Sequence, residues 1–181
     1  AAYAYSSPEE RLDDLRLIRQ SVQVHDEAHS KGLLLDMIRL VKTCGFHLAS
    51  LDIRQDSAYH GEVIADIFDS ASNLPDYRSL SEEERQQWLT RLLEQPGTPL
   101  IYSDNLSDQT REQLALTNSI AKLRQLVGKD TFGSYIISMT NNASQLLEVL
   151  LLMRFAGLSG IDAKGNLFAA LPVAPLFETI D

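Results

Sequence analysis

The chain has 181 residues, of which 44% are hydrophobic and 23% are charged. This composition excludes a disordered chain and is sufficient for a hydrophobic core in one domain. The net charge of −9, without a basic block, argues against nucleic acid or an anionic membrane as a partner. There is no apolar run long enough to span a bilayer and no signal-peptide pattern. With a single cysteine, Cys44, we expect a soluble protein of the cytoplasm.

Two helices are predicted in the first quarter of the chain. Ser7–Glu10 reads as a helix start, with a serine N-cap, a proline at the first helical position and a glutamate three residues after the cap. Apolar residues recur at helical spacing from Leu12 to Val22. A second helix is predicted over residues 33–42, and Gly45 ends it.

Two histidines, His25 and His29, stand four residues apart near the end of the first predicted helix. A pair with this spacing can bind a metal ion on one helix face. The alternative is a pair of solvated side chains at a helix C-terminus, where positive charge is favoured. We expect the second, because no third ligand is evident nearby.

The stretch LASLDIRQDSAYH, residues 48–60, runs from an apolar strand into a cluster of polar and charged groups that includes Arg54. Chemistry in a β/α barrel is placed at the carboxyl ends of buried strands. The stretch therefore predicts a functional site, with an ion pair that only fixes the strand end as the alternative.

Three further helices are predicted between residues 58 and 128. The first has an apolar face that begins at Val63, and the second starts at the capping box Ser81–Glu84. The three glutamates 82–84 are expected to form a solvated helix start rather than a metal cluster, because nothing nearby completes a coordination shell. The third and longest begins at Ser107 or Asp108, with Leu116, Ile120, Leu123 and Val127 along one face.

The last third of the chain predicts a strand, a helix and a strand. Residues 134–139 form an apolar strand that ends in Thr140, Asn141 and Asn142. Ser144 is expected to cap a helix that is apolar nearly all round and therefore buried. After a glycine-containing loop, residues 171–177 read as a strand whose two prolines exclude a central position in a sheet.

Alternation of strands and helices is typical of successive β/α units. We expect a helix-dominated α/β fold, specifically a partial TIM-like barrel with about three strands and helical insertions. Residues 1–181 are expected to be a single piece of one barrel domain. Because the chain stops soon after an apolar strand, we also expect it to be part of something longer.

Three stretches carry a family resemblance and occur in the family's order. They are LDIRQDSAYH at 51–60, YIISMTNNASQLLEVLLL at 135–152 and LPVAPLFETID at 171–181. Together they resemble phosphoenolpyruvate carboxylases. The resemblance implies that the chain is an internal piece of an enzyme that adds bicarbonate to phosphoenolpyruvate, giving oxaloacetate and phosphate. It also implies a homotetrameric parent enzyme that uses Mg²⁺ or Mn²⁺, whereas the piece alone is expected to be inactive and to bind no metal.

The resemblance assigns roles to five residues. Arg54 matches a catalytic arginine that binds the anionic substrate, and Glu178 matches a ligand of the divalent metal. Asp52, Gln55 and His60 match the same signature and are expected to hold the substrate-binding residues in place. The family's catalytic histidine, second metal ligand, catalytic lysine and glycine-rich loop have no match in this chain.

The sequence departs from the family pattern at two positions in the last long helix. Gln145 stands where an aspartate is usual, and Phe155 where a glutamate is common. Two other interpretations stay open at this point. One is a stand-alone module that binds an anionic metabolite or a partner protein without catalysis. The other is a structural helical protein whose motif matches are accidental.

Overall fold

A computed structural model describes residues 4–25, 30–97 and 105–178. The described residues are dominated by helices and also contain short strands, which confirms the helix-dominated α/β class. The helices are α1 Pro8–His25, α2 Leu33–Cys44, α3 Ser57–Asp69, α4 Glu82–Glu94, α5 Asp108–Val127 and α6 Ser144–Phe155. The strands are β1 Leu51–Asp56, β2 Phe132–Ser138, β3 Ser159–Ile161, β4 Leu167–Ala169 and β5 Val173–Pro175. Among the described helices, none is long and apolar enough to cross a membrane.

The chain divides into two compact units, and the first comprises residues 1–50 and 123–131. Helices α1 and α2 pack through a small core of four buried aliphatic side chains: Leu12, Leu15, Ile38 and Val41. The predicted start of α1 is confirmed, because the backbone N–H of Glu10 donates to the Ser7 hydroxyl at 3.2 Å. Gly45 ends α2 with φ +56°, a left-handed conformation that favours glycine.

The second unit comprises residues 51–122 and 132–181. Its three-stranded sheet is parallel, with the order β1–β2–β5. The prediction that the third strand is not central is confirmed within the described residues, where β5 pairs with β2 alone and contains Pro175. The carbonyl of Pro172 still accepts the backbone N–H of Tyr135 at 2.8 Å.

The two faces of this sheet differ in burial. Tyr135 and Ile137 of β2 are buried in a core that also contains Ile120 of α5 and Val149 of α6. On the opposite face, the strand register places Arg54, Ile136 and Ala174 side by side across the three strands. Each of these three side chains is exposed or half-buried.

The apolar strand that was expected to be buried before the polar cluster is not buried, because every residue of β1 is exposed or half-buried. Leu51 is 60% exposed, and β1 is an outer strand of the described sheet. The register between β1 and β2 is also irregular between Leu51 and Ile53. Only Ile53 contributes to the core from this strand, as a partly buried neighbour.

Helices α3, α4 and α6 enclose the largest core of the described residues. Its fully buried members include Ile64 and Phe68 of α3, Leu89 of α4 and Leu151 of α6. Helix α6 contributes to this core with Leu151 and to the sheet core with Val149. The prediction that α6 is buried on more than one side is therefore confirmed.

Helix α4 ends against a buried arginine that sequence analysis did not identify. Arg154 of α6 is 4% exposed, and its guanidinium donates to the carbonyls of Leu93, Gln95 and Gly97. Leu93 is in the last turn of α4, where carbonyls have no helical N–H partner, and Gln95 and Gly97 follow the helix. The guanidinium therefore satisfies a carbonyl at the helix end, where the helix dipole favours a positive charge.

The predicted apolar face of α5 does not match the buried one. Leu116 and Leu123 are 37% and 41% exposed, whereas Gln113 and Thr117 are buried with Ile120. Polar side chains are buried here because they have partners: Thr117 donates to the carbonyl of Leu114 at 3.0 Å.

A short hairpin replaces part of the predicted loop between α6 and β5. Strands β3 and β4 pair antiparallel, with Gly160 opposite Phe168. The turn between them is held by Asp162, whose carboxylate accepts the backbone N–H groups of Lys164 and Asn166. The hairpin was missed because its strands are only three residues long.

Candidate functional site

The candidate site lies at the carboxyl ends of the parallel strands. Because β1, β2 and β5 run in the same direction, their last residues meet at one edge of the sheet. In open parallel sheets and barrels alike, this edge is where ligands bind. The segments that follow the strands start at Ser57, Met139 and Leu176.

Arg54 and Glu178, the two residues assigned direct roles, meet at this edge. The Arg54 guanidinium donates to the Glu178 carboxylate, with Nη2 and Oε1 at 2.9 Å. Their side chains are 60% and 37% exposed, so solvent screens the ion pair and its net contribution to stability is about 0.2–1 kcal/mol. The exposed guanidinium surface can therefore accept an anion without the loss of a strong contact.

Asp52 and Gln55 make contacts within the strands. The Asp52 carboxylate accepts the backbone N–H of Ser134 at 2.7 Å, which joins β1 to β2 at the irregular register. The Gln55 side chain accepts the backbone N–H of Asp56 at 2.9 Å. Both contacts fix β1 on either side of Arg54, although Asp52 lies nearer the amino end of the strand than the candidate site.

His60 is fully buried in the first turn of α3, the helix that directly follows β1. Its Nε2 lies 2.9 Å from the Tyr135 hydroxyl, which also accepts a hydrogen bond from the Gln113 amide at 3.1 Å. The tyrosine proton is therefore available for Nε2, and Nδ1 then carries the imidazole proton. Within the described residues, Nδ1 has no hydrogen-bond partner.

The electrostatics of His60 favour the neutral ring. Burial lowers the pKa of the His60 imidazole to about 4, against a small opposing effect of the Asp56 charge. Burial likewise raises the pKa of the Tyr135 hydroxyl to about 12. The His60–Tyr135–Gln113 network is thus uncharged near neutral pH and connects α3, β2 and α5. Such a network fixes the helix that directly follows the Arg54 strand.

The loop after β2 is held by side chains from two helices, α3 and α6. Ser57 donates from its hydroxyl to the Met139 carbonyl at 2.8 Å. The Gln145 amide oxygen accepts the backbone N–H groups of Asn141 and Asn142 at 2.8 and 3.1 Å. An amide oxygen at position 145 therefore performs the capping that a carboxylate there could also perform.

The start of α6 corrects two expectations. Ser144 is the first residue of the helix rather than its cap, and the N-cap residue, Ala143, has no side chain that could cap. Glu82 of α4 takes that role, because its carboxylate accepts the backbone N–H and the hydroxyl of Ser144 at 2.9 and 2.7 Å. Glu82 is therefore not simply solvated, whereas Glu84 completes the predicted capping box with Ser81.

Sequence analysis missed a buried carboxyl group on α6. Glu148 is 1% exposed, and Oε1 accepts a hydrogen bond from the Tyr77 hydroxyl at 2.6 Å. Burial raises the pKa of the Glu148 carboxyl to about 7 and also raises the pKa of the Tyr77 hydroxyl. The only available signal was a single acidic residue within a run of apolar ones.

The described residues do not form a complete metal site. No group of three or more histidine, cysteine, aspartate or glutamate side chains that could hold a metal ion is present among them. Glu178 offers one carboxylate, which contacts Arg54 instead of a second acidic group. Magnesium takes about six oxygen ligands, several of which are usually water, and Glu178 would supply one of them. The prediction that His25 and His29 are solvated side chains at a helix end falls partly outside the described residues, because His29 is not among them.

Comparison with known proteins identifies the same family over the whole chain. The model of the phosphoenolpyruvate carboxylase family matches residues 1–181. Phosphoenolpyruvate carboxylase from Synechocystis sp. is 38% identical, over 98% of this chain and 17% of that protein. The enzymes from Ralstonia nicotianae and Roseiflexus castenholzii are 34% and 37% identical, covering 99% and 97% of this chain and 19% and 18% of their own lengths. The chain therefore spans less than a fifth of these relatives.

Proposed function

The chain belongs to the phosphoenolpyruvate carboxylase family, and on that premise we propose that it is part of an enzyme that carboxylates phosphoenolpyruvate with bicarbonate. The products are oxaloacetate and phosphate. The alternative of a stand-alone binding module is not favoured, because the four relatives cited are named as the carboxylase. The observation that carries the proposal is the meeting of Arg54 and Glu178 at the carboxyl edge of the sheet.

In this proposal Arg54 binds the anionic substrate. Phosphoenolpyruvate carries a phosphate and a carboxylate, and the planar guanidinium matches either group with two parallel hydrogen bonds. Cations at this position also stabilise the charge that develops during phosphoryl transfer. The 60% exposure of the Arg54 side chain supports the role, because an anion can reach it.

Glu178 is proposed as one ligand of the divalent metal that this family uses. Its carboxylate oxygen is the donor type that Mg²⁺ and Mn²⁺ prefer. The described residues do not contain a group of side chains that completes the coordination shell, so the remaining ligands would come from water, substrate and segments of the longer protein.

Gln55, His60 and Asp52 are proposed to keep Arg54 in place. Gln55 and Asp52 fix the backbone on either side of Arg54. The neutral His60–Tyr135 contact fixes the helix that follows. Because none of these three contacts uses the Arg54 side chain, the guanidinium stays available for substrate.

We further propose that residues 1–181 belong to one β/α barrel domain of a cytoplasmic homotetramer. The barrel is supported by the three parallel strands of the sheet. It is also supported by α3 and α6, which both contact the face of the sheet that carries Tyr135. It is also supported by the opposite face, where Arg54, Ile136 and Ala174 lie side by side across the three strands on the side that a closed barrel would turn towards its interior.

The experiment that tests the function is a coupled assay for oxaloacetate. The longer protein that carries this chain is expected to form oxaloacetate only when phosphoenolpyruvate, bicarbonate and a divalent metal are all present. The 181-residue chain alone is expected to be inactive under the same conditions. Absence of oxaloacetate from the longer protein would contradict the proposal.

A further inference from the structure

Among the hydrogen bonds that join the ends of the three parallel strands, two lie just beyond the strands themselves. At the end of β1, the Ser57 hydroxyl donates to the Met139 carbonyl at 2.8 Å. One residue further along, the backbone N–H of Thr140 donates to the Leu176 carbonyl at 3.0 Å. The first bond connects the start of α3 to the loop after β2. The second connects the same loop to the segment after β5.

This connection runs between the two charged residues of the candidate site. Ser57 follows Arg54 by three positions, and Leu176 precedes Glu178 by two. Strands β1 and β5 do not pair with each other, because β2 lies between them. The relative position of Arg54 and Glu178 therefore depends on the end of β2.

Met139 has an unusual backbone conformation at this point. Its φ is +57°, and no other non-glycine residue in the described part of the chain has a positive φ. Left-handed backbone is unfavourable for a side chain such as methionine and persists only where neighbours hold it. Here the Met139 carbonyl accepts from the Ser57 hydroxyl and from the Asn141 side chain, at 2.8 and 3.2 Å.

Ser57 is suited to hold this conformation. It is only 4% exposed, so water does not readily replace its hydroxyl as a donor to the Met139 carbonyl. It is also the first residue of α3, whose N-cap, Asp56, accepts the backbone N–H of Ala58 at 2.8 Å. The hydroxyl is thus fixed on a rigid element.

We propose that Ser57 and Met139 are positioning residues, which hold Arg54 and Glu178 at the separation that substrate binding requires. Neither residue touches the reacting atoms in this role. The inference rests on the proposed function, because it assigns their effect to the binding of phosphoenolpyruvate. The structural part of the inference is that these hydrogen bonds hold the strand ends together, and hydrogen–deuterium exchange can test it without an activity assay.

The test uses four variants of the longer protein. Ser57→Ala removes the hydroxyl, and Met139→Val introduces a β-branched residue that resists a positive φ. Met139→Asn introduces a residue that tolerates left-handed backbone. Ser119→Ala is the matched control, because that hydroxyl donates to the Ala115 carbonyl at 2.8 Å on an exposed part of α5.

Two readouts are compared in each variant. Hydrogen–deuterium exchange is followed in peptides covering residues 139–142 and 174–178, and KM for phosphoenolpyruvate is measured with kcat. For Ser57→Ala and Met139→Val we expect about tenfold faster exchange and about tenfold higher KM, as for the loss of one partly buried hydrogen bond. We expect kcat to change by less than about twofold, which is typical when binding rather than chemistry is affected. Met139→Asn and Ser119→Ala should resemble the wild type in both readouts.

Three results would overturn the inference. Unchanged exchange in Ser57→Ala and Met139→Val would show that the tie does not hold the strand ends. Faster exchange without a change in KM would show that the strand ends do not position the binding residues. If Met139→Asn increased exchange and KM as much as Met139→Val does, the effect would depend on the Met139 side chain and not on its backbone conformation. If the wild type has no carboxylase activity, the proposed function fails, and exchange alone still decides the structural part.

Discussion

The Arg54 guanidinium contacts the Glu178 carboxylate at 2.9 Å across the end of the central strand β2. The two residues are 124 positions apart in sequence. Arg54 lies on β1 and Glu178 lies three residues after the end of β5, and these are the two strands that flank β2. Opposite charges therefore meet where the proposed substrate binds. Since both side chains are substantially exposed, the pair is expected to separate at little cost when either residue binds a ligand.

The first prediction concerns this ion pair. Glu178→Gln is expected to change the free energy of unfolding of the chain by less than about 1 kcal/mol, because exposed ion pairs contribute little. Urea denaturation followed by circular dichroism measures this change. A loss above about 2 kcal/mol would show that the pair is structural, and would count against its proposed separation on ligand binding.

The second prediction concerns the buried network at His60. Tyr135→Phe removes the hydroxyl that lies between His60 and Gln113, leaving two buried polar groups unpaired. We expect a loss of about 1–3 kcal/mol in the free energy of unfolding. Tyr59→Phe is the control, because the Tyr59 hydroxyl makes an exposed contact with the Gln109 carbonyl at 3.3 Å. Equal losses in the two variants would contradict a special role for the buried network.

Features that depend on neighbours in sequence were predictable from sequence. The capping box of Ser81 and Glu84 was predicted correctly, because its contacts span three residues. The buried face of α5 was not, because Gln113 and Thr117 are buried through contacts that hydrophobic periodicity cannot indicate. Gln113 reaches the Tyr135 hydroxyl, and that pairing is visible only once β2 and α5 are packed together.

The third prediction concerns pH. Glu148 has a folded-state pKa of about 7, above its ordinary value of 4.5. The folded state therefore keeps a proton that the unfolded state loses, and stability falls as pH rises between these values by up to about 1.4 kcal/mol per pH unit. Other groups that face the carboxyl are Tyr77, Arg85 and Glu82.

Glu148→Gln should remove this decrease in stability with rising pH. His60 acts in the opposite direction, because its folded-state pKa of about 4 lies below its ordinary value of 6.5. Between these values the unfolded state binds more protons at His60, so stability rises with pH. The variant should therefore gain stability relative to the wild type as pH increases from 5 to 7, measured by urea denaturation at each pH. Parallel profiles for the two proteins would contradict the assignment.

The fourth prediction concerns the contact between α4 and α6. Glu82→Ala should lower the free energy of unfolding by about 1 kcal/mol, because the carboxylate caps α6 through Ser144. Glu83→Ala is the matched control, since Glu83 is exposed on the same turn of α4 and should cost less than about 0.5 kcal/mol. Thermal unfolding of the two variants distinguishes them, and equal effects would contradict the capping role.

The candidate site was only partly predictable. Polar residues after two apolar strands indicated the sheet edge, and the family resemblance assigned Arg54 and Glu178. Their contact could not be predicted, because it depends on the order of the strands, which places β1 and β5 on either side of β2. The positive φ of Met139 was also unpredictable, since nothing in the residue type favours it.

The most direct test of the account is the affinity of the longer protein for phosphoenolpyruvate after Arg54→Ala. Isothermal titration in the presence of Mg²⁺ should show at least about tenfold weaker binding than in the wild type, as expected when a charged hydrogen-bond donor is lost. The control is Arg111→Ala, which removes an exposed arginine paired with Asp108 and should bind like the wild type. If Arg54→Ala binds phosphoenolpyruvate as tightly as Arg111→Ala does, Arg54 is not the substrate-binding residue and the proposed site is wrong.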